Sequence, residues 1–443
     1  MTLTANNSLS EADLEKLRQH FNQAPYPRVP LESIPTEPYV LYTHSLITAN
    51  YRRSQKVVSS EGKLILDAGC GTGYKSFALA KANPGAKVIG VDLSEDSVEL
   101  AKQRLNFHNV AESEFYAMPL EQLPELGLQF DYINCDEVLY LIPDPMAGLA
   151  ALRKVLKPDG ILRINFHSAL QRRTYLRAQN FFNLLGLMEG PPTEQDIEIV
   201  RSTMRCLNGN VHLKNFGWGP NFEKDDETIL ANYLLKGDKG WTIREFFQAL
   251  QDHDLEFISM VNWWQWNLVN LFQDVDELPI EIAMGIADKS VEEQLHLFEL
   301  LHPVHRLLDL YCGVSGTQPE FVSPSEWSDT QWMQATLSLH PVLNTNAFRE
   351  NLVDCIQSMR SFPIRDHLPI NDQPIMIDSL MATCLLPLVA GSTSMEQVIQ
   401  YWLKIRPVNP VTGSATSQQE SLELVKQLFC HLETLGYVLT EQP

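Results

Sequence analysis

Cationic residues are scarce in this chain: 34 Lys and Arg stand against 55 Asp and Glu, a formal charge of −21. A field of that sign repels phosphate backbones and anionic membranes, whose affinity for proteins rests on cations displacing counterions. The balance argues against nucleic acid as a partner, despite a local basic patch, "QRRTYLR". Cysteine is sparse too, with seven residues at 70, 135, 206, 312, 355, 384 and 430 and no CxxC pair. An odd number at wide spacing suggests neither a disulfide framework nor a zinc site, and reads as mostly buried thiols in a reducing compartment. Long apolar runs are missing as well. The strongest, "LMATCLLPLVAG", falls far short of the ~20 residues that span a bilayer. The opening "MTLTANNSLSEADLEKLRQHF" has no signal-peptide core. These absences lead us to expect a soluble, cytoplasmic protein with no membrane partner. What remains is an ordinary globular profile, 44% hydrophobic and 20% charged, long enough for two or three domains.

From Lys63 onward the chain alternates strand and helix periods. "KLILDA" is an apolar run ending in an acid, and "GYKSFALAKANPGA" follows as a helix up to Pro84. "KVIGVDLS" is a second strand. The helix "EDSVELAKQRLNFH", capped by Ser94 or Asp96, places Val98, Ala101 and Leu105 on one face. "SEFYAM", "FDYINCDEV" and "ILRINFH" supply three more strands, the last two separated by the helix "DPMAGLAALRKVL" and a "KPDG" turn. This rhythm implies an α/β fold of parallel βαβ units, with ligands bound beyond the carboxyl ends of the strands. The loop "DAGCGTG" stands at the first such end. Gly69, Gly71 and Gly73 permit a tight turn and close approach of a ligand, and Asp92, ending the second strand, can accept from both hydroxyls of a ribose.

A dinucleotide fingerprint needs GxGxxG; here the pattern is GxGxG preceded by Asp67. With "GVDLS", "FDYINCDEVLYL" and "LRKVLKPDGIL" in this order, residues 62–167 resemble the class I S-adenosylmethionine (SAM) dependent methyltransferases. The resemblance implies a Rossmann-like sheet, methyl transfer as the activity, and SAM as cofactor with S-adenosylhomocysteine as product. Carried over by position, it places Asp67, Gly69, Cys70, Gly71 and Gly73 around the methionine end and Asp92 on the ribose. The backbone near Met118 and Pro119, with Leu93, falls beside the adenine, and Asp136 beside the sulfonium. Here "YAMPLEQL" offers Met118 where the family often has an acid for the adenine amino group.

The loop after the fourth strand, Cys135 to Tyr140, lacks the [ND]PP[YF] pattern of adenine-N6 and glutamine-amide methyltransferases in this family. Upstream, Pro25, Pro27, Pro30, Pro35 and Pro38 favour extended chain that passes into a helix from about Val40 to Tyr51. The resemblance implies a lid there, with Tyr26, His44 and Tyr51 as its candidate residues or else as packing residues. His44, Tyr51 and Tyr140 are the catalytic candidates, His44 as a base because imidazole titrates near neutrality.

The expected organisation is a strap over 1–61, the SAM-binding core over 62–167, and a helical insertion over 168–239 that caps the acceptor pocket or merely packs. The core is completed over 240–270, where "GWTIREFFQALQDHDLEFISMV" reads as a Thr-capped helix and a strand. In the insertion Leu170, Leu176, Phe181, Leu184 and Leu185 suggest an apolar stripe. A helical region follows over 271–375, including "SVEEQLHLFELLHPVHRLLDLYCG". Glu299, His302 and His305 there lack a second acidic cluster, and no metal is expected. Residues 376–443 read as three helices and a closing strand, resembling a winged-helix-like module or a plain helical one, with Ser394 as a cap. The expected fold is thus a class I methyltransferase sheet with a helical cap and a mostly α C-terminal domain. Its acceptor would be a protein side chain, possibly lysine, or a small molecule; a non-catalytic SAM-binding protein is the alternative of another class.

Overall fold

A computed structural model of the protein describes residue 18 and residues 26–190, 192–370 and 373–443; the polar N-terminal stretch, apart from Arg18, and Pro25 lie outside them. The strap runs extended to two short helices, α1 (Pro38–Thr43), begun by its proline, and α2 (Leu46–Ser54), capped by Ser45. The sheet then opens with β1 (Leu64–Ala68), α3 (Tyr74–Ala82), β2 (Lys87–Asp92), α4 (Glu95–Phe107), β3 (Ser113–Ala117), β4 (Phe130–Cys135), α5 (Pro145–Val155) and β5 (Leu156–His167). Ser94 is the cap of α4, accepting from the Ser97 N–H, and Val98, Ala101 and Leu105 are buried as the spacing implies.

Four helices leave the carboxyl end of β5: α6 (Arg173–Leu184), α7 (Glu194–Cys206), α8 (His212–Gly217) and α9 (Asp226–Tyr233). They share a small core of their own around Phe182, Val200, Met204, Ile229 and Tyr233. The apolar stripe expected on α6 is rotated in the structure. Ala178 and Phe182 face inward, whereas Phe181 and Leu185 are exposed and Leu184 is 83% exposed. The Thr-capped unit follows as α10 (Ile243–Asp252), with a Thr242–Glu245 capping box, and β6 (Leu255–Met260).

One expectation is overturned next. After α11 (Ile280–Ala287) and α12 (Val291–Leu301), the stretch read as continuing helix is a strand, β7 (Leu307–Val314). It inserts between β5 and β6 and runs antiparallel to both. The seven strands lie in the order β3-β2-β1-β4-β5-β7-β6. The leucines of "RLLDLYCGV" satisfy either period, and the unpaired edge of β5 decides for the strand. The sheet is therefore complete at residue 314 rather than by 270.

The C-terminal part comprises α13 (Asp329–Gln334), β8 (Thr336–Leu339), α14 (Asn346–Gln357), β9 (Phe362–Pro363), β10 (Met376–Ile377), α15 (Ser379–Ala382), α16 (Leu386–Val389), β11 (Thr393–Ser394), α17 (Met395–Ile405), α18 (Gln418–Thr434) and β12 (Val438–Glu441). Ser394 caps α17 as expected, and the closing strand β12 pairs with β8, which pairs with β11 on its other edge. One apolar cluster extends from Trp327 to Val438, so a boundary drawn at 376 would cut through a single core.

This core grips the strap. The Tyr51 hydroxyl donates to Glu433 Oε1 at 2.9 Å and accepts from the Thr440 N–H at 3.0 Å. Thr48 Oγ1 lies 2.9 Å from His340 Nε2, and the Tyr42 ring is 4.5 Å from that imidazole. Tyr51, a catalytic candidate by sequence, is thus a buried anchor to the C-terminal core. Tyr51→Phe should lower stability by about 1–3 kcal/mol, because Glu433 and the Thr440 amide lose a buried partner. Chemical denaturation measures the loss, and calorimetry should find the affinity for S-adenosylhomocysteine within twofold of wild type.

Candidate active site

A buried parallel strand ordinarily reads as continuous apolar sequence. In β5 the residues Arg163, Asn165 and His167 alternate with Leu162, Ile164 and Phe166, so one face of the strand is polar. In register, Asp67 of β1 lies opposite Asn134 of β4, and Asn134 opposite Arg163. Asn134 Nδ2 donates to Asp67 Oδ1 at 3.0 Å, and Ser76 Oγ donates to Asp67 Oδ2 at 2.6 Å. The Arg163 guanidinium clamps Asp309 of β7 through Nε at 3.1 Å and Nη2 at 2.7 Å, and reaches Asp136 at 3.6 Å. A continuous polar row thus crosses four strands, toward the carboxyl ends of β1, β4 and β5 and the amino end of the antiparallel β7.

Asp136, directly after β4, collects this charge. Lys75 of α3 pairs with its Oδ2 at 2.7 Å, and Asn165 Nδ2 donates to its Oδ1 at 2.6 Å. Burial alone would raise the pKa of this carboxyl, but Arg163, Lys75 and His44 hold it below the ordinary carboxylate range. His44 sits beneath. Its Nδ1 lies 2.8 Å from the Val40 carbonyl and its Nε2 3.4 Å from Arg163 Nη1. A guanidinium only donates, so Nε2 accepts and Nδ1 carries the proton. Burial and the Arg163 charge push this imidazole down to about 3. His44 is therefore a neutral, sealed member of the row, and its placement does not suit the acceptor base that the sequence suggested.

Tyr140 lies against the last polar residue of β5. Its ring stacks on His167 at 3.9 Å and its hydroxyl is hydrogen-bonded to Arg306, while burial raises its pKa. Tyr26 is exposed, with Glu137, Lys75 and Arg306 of the core and Glu227 of the insertion as its charged neighbours.

The glycine loop is covered by the strap. Tyr26 O accepts from the Thr72 N–H at 3.1 Å, Thr72 Oγ1 donates to Pro27 O at 2.8 Å, and Arg104 donates to the carbonyls of Val29 and Pro30, each at 2.7 Å. Gly71 has φ +50°, and a Cβ there would meet Tyr26 O at 2.2 Å. The crowding that excludes a side chain at this glycine thus comes first from the chain's own strap. Asp92 Oδ2 accepts from the Gly71 N–H and Oδ1 from the Ser94 N–H, both at 2.9 Å, which tethers the loop to the end of β2. Burial raises its pKa against those amides. The Met118 N–H donates to the Asp92 carbonyl at 2.9 Å, so Met118, Leu93 and Asp92 are brought together with Pro119 alongside. Cys70 is buried, its pKa raised by desolvation and by Asp92 and Asp67.

Residues 59–219 match the family model described as a methyltransferase domain. These residues form a methyltransferase domain. An uncharacterized protein of Synechococcus sp. is 28% identical over 63% of this chain and 65% of its own length. The ubiquinone biosynthesis O-methyltransferase of Neisseria meningitidis is 37% identical over 23% of this chain and 42% of its own. The chain thus spans less than two thirds of the length of either relative. Among solved structures, PKMT2 from Rickettsia typhi aligns with a TM-score of 0.61 at 18% identity, covering 93% of this chain and 76% of that one; its complex with AdoHcy aligns similarly.

The residues of this methyltransferase domain suit SAM. The Asp92 carboxylate, held by the amides of Gly71, Leu93 and Ser94 at the end of β2, retains acceptor capacity for a ribose hydroxyl. The ionised Asp136 suits a sulfonium, and Gly69 and Gly71 leave backbone where side chains would otherwise stand. Sequence reasoning missed Lys75, Asn134, Arg163, Asn165, His167, Asp238, Arg306 and Asp309. The signal was in "ILRINFH", whose polar alternation contradicts a fully buried strand. Glu299 turns inward to Ser168 and His305 stacks on Trp266, so those two face separate partners. No helix among the described residues is long and apolar enough to cross a membrane.

Asp92→Asn and Gly71→Ala should each weaken S-adenosylhomocysteine binding at least tenfold by calorimetry, the first by loss of charge at the diol, the second by displacing the strap. Unchanged affinity in both would contradict the assignment. His44 also predicts a pH effect. Its folded value of about 3 lies below the unfolded value near 6.5, so the unfolded chain alone binds a proton between them. Its contribution is complete above about pH 6.5 and falls by about 1.4 kcal/mol per unit toward pH 3. Urea stability of His44→Asn should accordingly fall less steeply than wild type from pH 6.5 to 4.5.

Proposed function

We propose that this chain moves a methyl group from SAM to a protein side chain, with a lysine amine as the favoured acceptor. When bound, SAM supplies the methyl group on a positively charged sulfur, and transfer is an in-line displacement governed by alignment and exclusion of water. Asp92 would hold the ribose, with Leu93, Met118 and Pro119 beside the adenine. The glycine loop with Asp67 would hold the methionine end, and Asp136 would lie nearest the sulfonium. The strap carrying Tyr26 covers this side, and Tyr140 and Arg306 lie on the acceptor side.

The observation that carries the protein-acceptor reading is the extent of the fold correspondence. PKMT2, a protein methyltransferase, follows 93% of this chain, insertion and C-terminal core included. The charge of −21 agrees with it, since an acidic enzyme attracts lysine-rich partners. A second reading, a small-molecule acceptor, is favoured by the ubiquinone O-methyltransferases, whose likeness covers about a quarter to a third of the chain.

Purified protein incubated with methyl-labelled SAM and a bacterial lysate should label protein bands. Label confined to the small-molecule fraction would replace the protein reading with the second one. Bound S-adenosylhomocysteine with no label in either fraction would favour a non-catalytic binding protein.

A further inference from the structure

His167 ends β5 two residues beyond Asn165, on the same polar face. Asn165 touches Asp136, and a two-residue step along a strand is about 7 Å, so the buried imidazole stands one such step beyond the residue that holds the carboxylate. Three side chains touch the ring, and two more hold those in place. From the segment joining the insertion to α10, Asp238 Oδ1 lies 3.0 Å from Nδ1; Asp238 Oδ2 is itself held by Arg172 at 3.0 Å, from the start of the insertion. After β4, Tyr140 stacks on one face and Glu137 pairs with Arg306. Before β7, Arg306 Nη1 lies 3.1 Å from Nε2.

This arrangement fixes the tautomer. Arg306 can only donate, so Nε2 accepts and Nδ1–H faces the Asp238 carboxylate. The ring is neutral with its basic lone pair on Nε2, and a carboxylate behind it stabilises the imidazolium that proton uptake would create. His44 shares this tautomer, but its Nε2 is sealed by Arg163, which is 7% exposed. The Nε2 of His167 is covered by Arg306, which is 42% exposed and held outward by Glu137. Ion pairs of that exposure are weak and can open.

We propose that His167 is the general base for the acceptor, oriented by Asp238 and uncovered when Arg306 swings away. This rests on the transfer reading above. The acceptor's N–H bond breaks and its proton goes to Nε2. The freed nitrogen lone pair forms the new N–CH3 bond as the S–CH3 bond breaks, and the sulfur keeps that electron pair. Burial lowers the imidazole pKa, and Asp238 opposes that while Arg172 and Arg306 reinforce it.

Wild type, His167→Gln and Arg306→Ala are compared, each first checked by calorimetry with S-adenosylhomocysteine, where all three should bind within about threefold of one another. Nitrogen-15 NMR of labelled histidine should show the Nδ1–H tautomer of His167 in wild type, and Arg306→Ala should raise its pKa. Initial rates of labelled methyl transfer to bacterial lysate protein are then measured at pH 7.5 and 9.5. His167→Gln should lose about 100-fold or more at pH 7.5 and recover most of it at pH 9.5, where acceptor amines shed protons unaided. An equal loss at both pH values, no loss, or an Nε2–H tautomer overturns the proposal. Wild type that binds S-adenosylhomocysteine but labels no protein overturns the transfer reading, and this base with it; a labelling wild type with a pH-independent defect in the variant overturns the base alone.

Discussion

The clamp of Arg163 on Asp309, with Asp136 at its other side, is the interaction on which the site depends. A guanidinium and two carboxylates buried in a sheet cost several kcal/mol in lost hydration unless each is fully paired. Here the pairing is complete only when β4, β5 and β7 lie side by side in their observed register. A one-residue slip would send Arg163, Asn165 and His167 to the apolar face. Removing one charge would strand the others, so the row specifies one arrangement of the strands as well as supplying polarity at their ends.

The consequences extend from there. With Arg163 in place, Asp136 stays ionised and Lys75 is drawn to it from the first turn of α3. Asn134 is oriented toward Asp67, and His44 is held neutral beneath. The strap that carries His44 is pinned twice. The glycine loop and Arg104 hold its extended part, and the C-terminal core holds its helices through Tyr51, Thr48 and Tyr42. Residues nearly 400 positions apart therefore fix the strap that covers the glycine loop. The large C-terminal core thus has a physical role that does not require it to touch any substrate.

The side around His167 is built differently. The insertion has its own core and is tied to the sheet by Asp238 and Arg172, both turned toward His167. Its outer apolar residues, Phe181, Leu184 and Leu185, do not pack inward as their spacing suggests, because Phe182 already occupies the contact with Tyr233. The same insertion thus completes the polar cluster around His167 and leaves an apolar edge outside.

How much of this was legible depended on how local the cause was. Gly69 and Gly71, with Asp67 before them and Asp92 one strand later, form a cradle from backbone conformation and strand ends, which depend on near neighbours. The helix caps at Ser94, Thr242 and Ser394 are local in the same way, and all three are seen. The sequence by itself therefore determined the glycine loop and the first five strands with the helices between them. Tertiary structure alone decided that residues 307–314 are a strand, that Tyr51 anchors the C-terminal core, and that Asp238, Tyr140 and Arg306 meet around His167. In each case the deciding partner is an edge, a carboxylate or a guanidinium far away in the chain. Propensity and spacing carry no information about such a partner, and burial makes its presence or absence worth more than any local preference.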